Sequence, residues 1–127
     1  MQKNIINTEK APAPIGPYSQ AVSVGGMLFI SGQICIDPAT GELVNKNVQE
    51  EAEQVMKNLS AILSHAGLGF DAVIKTSIFL TSMNDFPLVN EVYGKFFDGS
   101  YPARETVAVS ALPKLVNVEI SMIAALK

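Results

Sequence analysis

The sequence predicts an α+β domain of two layers, with two helices on one face of a single sheet. Three observations carry this. Strand-like and helix-like segments follow in the order β-β-β-α-β-α-β-β. Only two segments have the apolar repeat of a helix, enough to cover one sheet face and no more. The C-terminal third is rich in β-branched residues broken by Pro113, which reads as strand, short loop, strand.

Taken in order, residues 3–7 form a short candidate strand. The run Ala11-Pro-Ala-Pro-Ile-Gly-Pro-Tyr18 is a loop, because its prolines and glycine oppose regular structure. Residues 19–24 and 27–33 flank Gly25-Gly26, a two-residue hairpin turn. In the second of these strands Met27, Phe29, Ser31 and Gln33 are expected on one face, and Leu28, Ile30 and Gly32 on the other. Asp37-Pro-Ala-Thr-Gly41 is a turn.

Residues 48–66 make the stronger helix. Val48, Ala52, Val55, Met56, Leu59, Ile62, Leu63 and Ala66 fall on one stripe. Glu50, Glu51 and Glu53 suit the positive end of its dipole, and Gly67 suits the residue just past its end. His65 in the last turn is a helix-end surface group. Residues 71–80 form a strand. Asp85 is placed to cap a second helix with Pro87 in its first turn, and Val89, Val92, Tyr93, Phe96 and Phe97 form its stripe.

The last strands, 101–110 and 115–122, are expected to pair as a hairpin across a loop at 111–114. In that register Thr106 lies opposite Glu119, and Arg104 is a diagonal neighbour of Glu119 at a Cβ separation of about 7–8 Å. That gap would hold a small molecule. Val107, Val109, Val116, Val118, Ile120 and Met122 would form the core side. The helix-free face would carry Arg104 and Glu119 among hydroxyl and apolar groups, and a partly apolar open face predicts self-association.

Composition narrows the function. The chain has 127 residues, which suits one domain, 1–127. A net charge of −3 argues against a nucleic-acid groove, though not against a small anion on one arginine. Cys35 is the only cysteine, so neither an internal disulfide nor a cysteine-based metal site can form; it reads as a buried packing thiol. No leader or membrane-length apolar run is visible, so the cytoplasm is the expected compartment and no membrane partner is expected.

Two groups of motifs resemble one known family. Ile15-Gly-Pro-Tyr-Ser-Gln-Ala21, Phe29-Ile-Ser-Gly-Gln-Ile34 and Asp37-Pro-Ala-Thr-Gly-Glu42 form one group. Asn84-Asp-Phe-Pro-Leu-Val-Asn-Glu-Val-Tyr93, Tyr101-Pro-Ala-Arg-Glu-Thr-Val107, Ala111-Leu-Pro-Lys114 and Val118-Glu-Ile-Ser-Met-Ile-Ala124 form the other. Together they resemble the reactive intermediate deaminase A (RidA, or YjgF) family, also described as endoribonuclease L-PSP or translation initiation inhibitor proteins. The resemblance covers essentially the whole chain.

It implies a chorismate-mutase-like fold, a homotrimeric barrel with sites between subunits, and hydrolysis of 2-iminopropanoate and 2-iminobutanoate to 2-keto acids and ammonia. No metal or cofactor is implied, because an imine is already electrophilic. Arg104 matches the arginine that clamps the substrate carboxylate. Glu119 matches the glutamate that positions or activates water. Tyr18, Gly32 and Asn90 match pocket residues, with main-chain groups at Ser31-Gly32 and the Thr106 hydroxyl as further ligand contacts. Thr106 stands where several bacterial members carry cysteine, which removes a thiol nucleophile. Ser19 also departs from some bacterial relatives, and Glu105 alternates away from the site. Two alternatives remain: a non-catalytic 2-keto-acid-binding trimer, and cleavage of single-stranded RNA, which the charge balance disfavours.

Overall fold

The computed structural model describes residues 2–127. Its strands are β1 (Asn4–Ile6), β2 (Ala21–Val24), β3 (Met27–Gln33), β4 (Val73–Leu80), β5 (Ala103–Ala108) and β6 (Val118–Ala125); its helices are α1 (Val48–His65) and α2 (Phe86–Gly94). This is the expected α+β order. One mixed sheet runs β1-β2-β3-β6-β4-β5, and only β4 and β5 are parallel.

Local chemistry explains most boundaries. Gly25 and Gly26 both have positive φ, 57° and 80°, which a two-residue turn of matching twist needs. Asn47 caps α1, its side chain accepting from the Glu50 amide, and Gly67 at φ 78° follows the helix end. Helix α2 stops at Gly94, so Phe96 and Phe97 leave the helical stripe and pack as an aromatic cluster with Phe70 and Tyr93. Asp85 precedes α2 but makes no capping bond through its side chain.

The C-terminal hairpin does not form. β6 pairs antiparallel with both β3 and β4, and β5 lies beyond β4 at the sheet edge. The cause is polarity. On its helix side β6 offers Val118, Ile120, Met122 and Ala124, all buried, which suits a central strand. β5 offers Arg104 and Thr106 there, which suits an edge. The connection at 109–117 therefore passes the end of β4, through a tight turn in which Lys114 and Leu115 adopt positive φ, 54° and 58°.

This changes which residues share a face. Thr76 sits between Arg104 and Met122, whereas Phe79 sits between Val107 and Glu119. Arg104 and Thr106 thus lie on the helix side, and Glu119 lies on the open side with Val107, which is 42% exposed rather than in the core. A bulge between Ile30 and Gln33 also turns Gln33 inward and Gly32 towards Glu119, reversing the alternation expected for those two.

Three buried polar side chains fasten the loops. Asn58 of α1 donates to the carbonyls of Ile34 and Ile36 at 3.1 and 2.9 Å. Gln20 donates to the carbonyls of Thr8, Ala11 and Pro12 and accepts from the Thr8 amide. Glu51, fully buried, accepts from the Asn117 amide at 2.9 Å and its carboxamide at 2.6 Å. The Cys35 thiol points at the same carboxylate, 3.8 Å away. Burial, reinforced by the Glu51 charge, pushes that thiol up to about 11, so it stays protonated and unreactive.

Replacing Glu51 with alanine removes the shared acceptor of both Asn117 donors and leaves a void in the core. The expected cost is about 3 kcal/mol, a drop of roughly 10 °C in melting temperature. Thermal unfolding of Glu51→Ala followed by circular dichroism checks this; an unchanged midpoint contradicts it.

Candidate functional site

The residues singled out in the sequence fall into two groups on different faces. The first borders a cleft of about 400 Å³ that holds Tyr18, Ser31, Gly32 and Glu119, with Ile15, Ile34 and Pro113 among its apolar walls. The second borders a groove of about 650 Å³ at the β5 edge, lined by Asn90, Tyr93, Lys95, Tyr101 and Arg104. Arg104 and Glu119 therefore do not face each other within one chain. The diagonal arrangement expected from the sequence does not occur, because β4 separates the strands by two sheet spacings, about 10 Å, and the side chains leave opposite faces.

In the first cleft, β6 presents Glu119 and β3 makes room for it. An atom added at the Cβ position of Gly32 would lie 2.5 Å from Glu119 Oε2 and 2.7 Å from its Cδ. Only glycine fits beside the carboxylate as it stands. Among the described residues the Glu119 side chain has no ion pair and no hydrogen bond. Burial without a compensating partner raises its pKa above the usual glutamate range. A carboxylate that holds a proton more readily is suited to proton transfer.

The walls are set by the fastened loops. Gln20 holds the segment leading to Pro12 and Ala13, and Asn58 holds Ile34 and Ile36. The Tyr18 hydroxyl accepts from the Ile15 amide at 3.3 Å, and its ring is 48% exposed, so it can face a ligand or a neighbouring chain. The Ser31 hydroxyl donates to the Ser19 carbonyl at 2.6 Å, which leaves it an acceptor towards the cleft.

At the β5 edge, Arg104 donates from Nη1 to Asn90 Oδ1 at 2.7 Å. Its guanidinium carbon lies 5.4 Å from the Phe86 ring centre and 5.2 Å from that of Tyr93. Its other N–H groups have no protein partner among the described residues and can meet a carboxylate. The Thr106 hydroxyl, on the same side of β5, is buried without a partner. Glu105 points to the opposite face and bonds Ser77 and Lys75, whose contacts hold its carboxyl below the usual range. It takes no part in either cleft, as its alternation predicted. His65 stands on α1 apart from both groups.

Phe86 and Tyr93 were not singled out as site residues in the sequence. The helical stripe puts Tyr93 in the core, and it is buried. The overlooked signal is Asn90 between two aromatics at spacing i, i+4, i+7 on α2, where a purely structural stripe would be apolar throughout.

The two-layer α+β fold carries one arginine and one carboxylate without an ion-pair partner among the described residues, each in its own cleft. No helix is long and apolar enough to cross a membrane among the described residues. The chain belongs to the Endoribonuclease L-PSP family, whose pattern matches residues 8–126. It is 52% identical over 122 residues to the mouse 2-iminobutanoate/2-iminopropanoate deaminase, covering 96% of this chain and 90% of that one. A conserved Rid-family protein from Yersinia pestis has the same fold with a TM-score of 0.96 at 48% identity, covering 98% of this chain and 100% of that one. Escherichia coli TdcF, solved with bound serine, superposes with a TM-score of 0.93 at 46% identity over 98% of this chain and 99% of that one.

The Gly32→Ala variant is expected to fold and to turn the Glu119 carboxylate out of its position. Its crystal structure checks this; a carboxylate left unmoved beside the added methyl group contradicts it.

Proposed function

We propose that this protein hydrolyses 2-imino acids, with 2-iminopropanoate and 2-iminobutanoate as substrates, to 2-keto acids and ammonia. The observation that carries the reading is Glu119: a half-buried carboxylate with no protein partner, in a cleft only Gly32 leaves open. The deaminase name of the mouse relative at 52% identity supports the same chemistry.

The site forms between copies of the chain. The Arg104 edge of one protomer supplies carboxylate recognition, and the Glu119 cleft of another supplies proton transfer, in a homotrimer. The open sheet face supports this assembly, with Phe29 and Val107 exposed at 43% and 42%. The expected ligand contacts of Tyr18, Ser31, Gly32 and Asn90 then come from both sides of one interface, whereas the expected contact from Thr106 is dropped because its hydroxyl is buried within the chain and lines neither cleft.

The chemistry follows from those groups. Arg104 pairs with the substrate carboxylate and fixes the imine carbon. Glu119 takes a proton from water as its oxygen attacks that carbon, forming a tetrahedral carbinolamine. The protonated carboxyl then gives its proton to the amino nitrogen. The imine enters protonated; ammonia leaves as the C–N bond breaks, the hydroxyl proton passes to Glu119 as the carbonyl forms, and protonated imine plus water become keto acid, ammonia and one proton. Burial raises the pKa of Glu119, which makes it a stronger base towards water than an ordinary glutamate. The acidic chain, with a net charge of −3, does not favour a phosphate-tracking RNA groove.

The bound serine in TdcF supports a second reading: a binder of small amino or keto acids that performs no turnover. One experiment separates the two. A threonine dehydratase generates the imine in the presence of semicarbazide, and loss of imine is followed with and without this protein. Hydrolysis predicts accelerated loss, abolished by Arg104→Ala and reduced about 100-fold or more by Glu119→Ala. Calorimetric binding of 2-oxobutanoate with no acceleration supports the binder.

The pH dependence has a defined sign. Glu119 must be ionised to accept a proton from water, so kcat/KM falls as pH drops through its raised pKa. The acid limb lies above that of an ordinary exposed glutamate and disappears in Glu119→Gln. For stability, a carboxyl whose folded pKa is raised stabilises the fold below its unfolded pKa, and that contribution is lost as pH rises through the folded pKa. Glu119→Gln should therefore melt higher than the natural protein at neutral pH, with the difference closing in acid. A lower melting temperature at neutral pH contradicts this.

A further inference from the structure

We propose that Tyr93 is a positioning residue for Arg104, acting with Phe86 to hold the guanidinium ready for the substrate carboxylate. This rests on the carboxylate-clamp reading of Arg104 and extends it to the two rings packed on its guanidinium.

The geometry is specific. Arg104 is an exposed residue on an edge strand, where a long side chain would ordinarily sample many rotamers. Here its guanidinium carbon lies within 5.5 Å of two ring centres, 5.4 Å from Phe86 and 5.2 Å from Tyr93. Asn90 fixes one nitrogen at 2.7 Å. Phe86, Asn90 and Tyr93 are spaced i, i+4, i+7, so one face of α2 supplies all three contacts.

Tyr93 is itself anchored. It is 3% exposed, and its hydroxyl shares a hydrogen bond of 3.1 Å with the buried Thr76 Oγ1. Thr76 is the residue of β4 paired with Arg104 in the parallel ladder. The ring is therefore tied to the strand position beside the arginine it supports, and it packs against Phe97 at 4.8 Å on its other flank. A ring held at hydroxyl and edge cannot swing with the guanidinium, so it restricts it.

Ordering Arg104 before the ligand arrives removes a cost that would otherwise fall on binding. The consequence is a split in kinetic parameters. Loss of the Tyr93 ring should weaken carboxylate binding while leaving the Glu119 proton transfer intact. A ring that only fills the core would instead alter stability without touching KM.

The test uses imine-hydrolysis kinetics on the full-length protein, with folding and assembly checked by circular dichroism and light scattering. Tyr93→Leu is expected to raise KM about 10-fold with kcat within about 2-fold of the natural value. Tyr93→Phe keeps the ring and loses only the Thr76 bond, so its KM should rise no more than about 3-fold. In an Arg104→Lys background, which lacks the planar fork, Tyr93→Leu should add less than about 2-fold. The proposal is overturned if Tyr93→Leu leaves KM unchanged, or if it raises KM equally in both backgrounds. Should Tyr93→Leu prevent folding, Phe86→Leu, which removes the other ring on the guanidinium, carries the same comparison in both Arg104 backgrounds. Arg104→Ala separates the two levels. If it is inactive while the Tyr93 variants behave as the natural protein, only the positioning role fails. If it retains full turnover, the clamp reading fails and this inference with it.

Discussion

Strand β4 lies between β5 and β6, and that insertion sends Arg104 and Glu119 to opposite faces of the sheet. From Thr76 onward in β4, and along β5 and β6, the even-numbered residues turn towards the helices. Residues of opposite parity therefore cannot share a cleft within one chain, and the two groups best suited to handle a small acid are each left half-equipped. On the function proposed above, assembly resolves this by bringing the arginine edge of one copy to the carboxylate cleft of another. The same arrangement gives the open, partly apolar sheet face something to cover it.

Each half-site is fixed by groups outside it. Helix α1 contributes Glu51 and Asn58, which hold the start of β6 and the loop beyond β3 that walls the Glu119 cleft. Helix α2 contributes an aromatic and amide face that holds Arg104. The helices therefore do more than cover the sheet. Their apolar stripes form the core, and polar or aromatic residues interleaved with those stripes set the geometry of loops and side chains at the sheet's ends.

Much of this was legible in the residues alone. Element types and order follow from periodicity, Gly25-Gly26 marks the first hairpin, and Gly67 marks the end of α1. The strand partner of β5 was not legible, because period-two patterning sets which residues alternate but not which strand lies alongside. A hairpin with a four-residue loop pairs residues of opposite parity, whereas passage beyond β4 aligns residues of the same parity, and this moved Arg104 and Val107 to the reverse faces. Relative polarity was the available clue: Arg104 and Thr106 on the side facing the helices belong at an edge. The bulge that turns Gly32 towards Glu119 likewise breaks the alternation that sequence reading assumes. Strand patterning alone singles out Arg104 and Glu119, the family motifs add Tyr18, Gly32 and Asn90, and the structure sorts them into two groups.

Mixing two inactive variants tests the shared site most directly. Arg104→Ala and Glu119→Ala proteins are unfolded together, refolded as mixed assemblies, and assayed for imine hydrolysis. A site built from two copies predicts recovery of about a quarter of the natural activity when chains mix at random, because some interfaces then receive an intact Arg104 and an intact Glu119. No recovery, from mixed assemblies verified by mass, would contradict it.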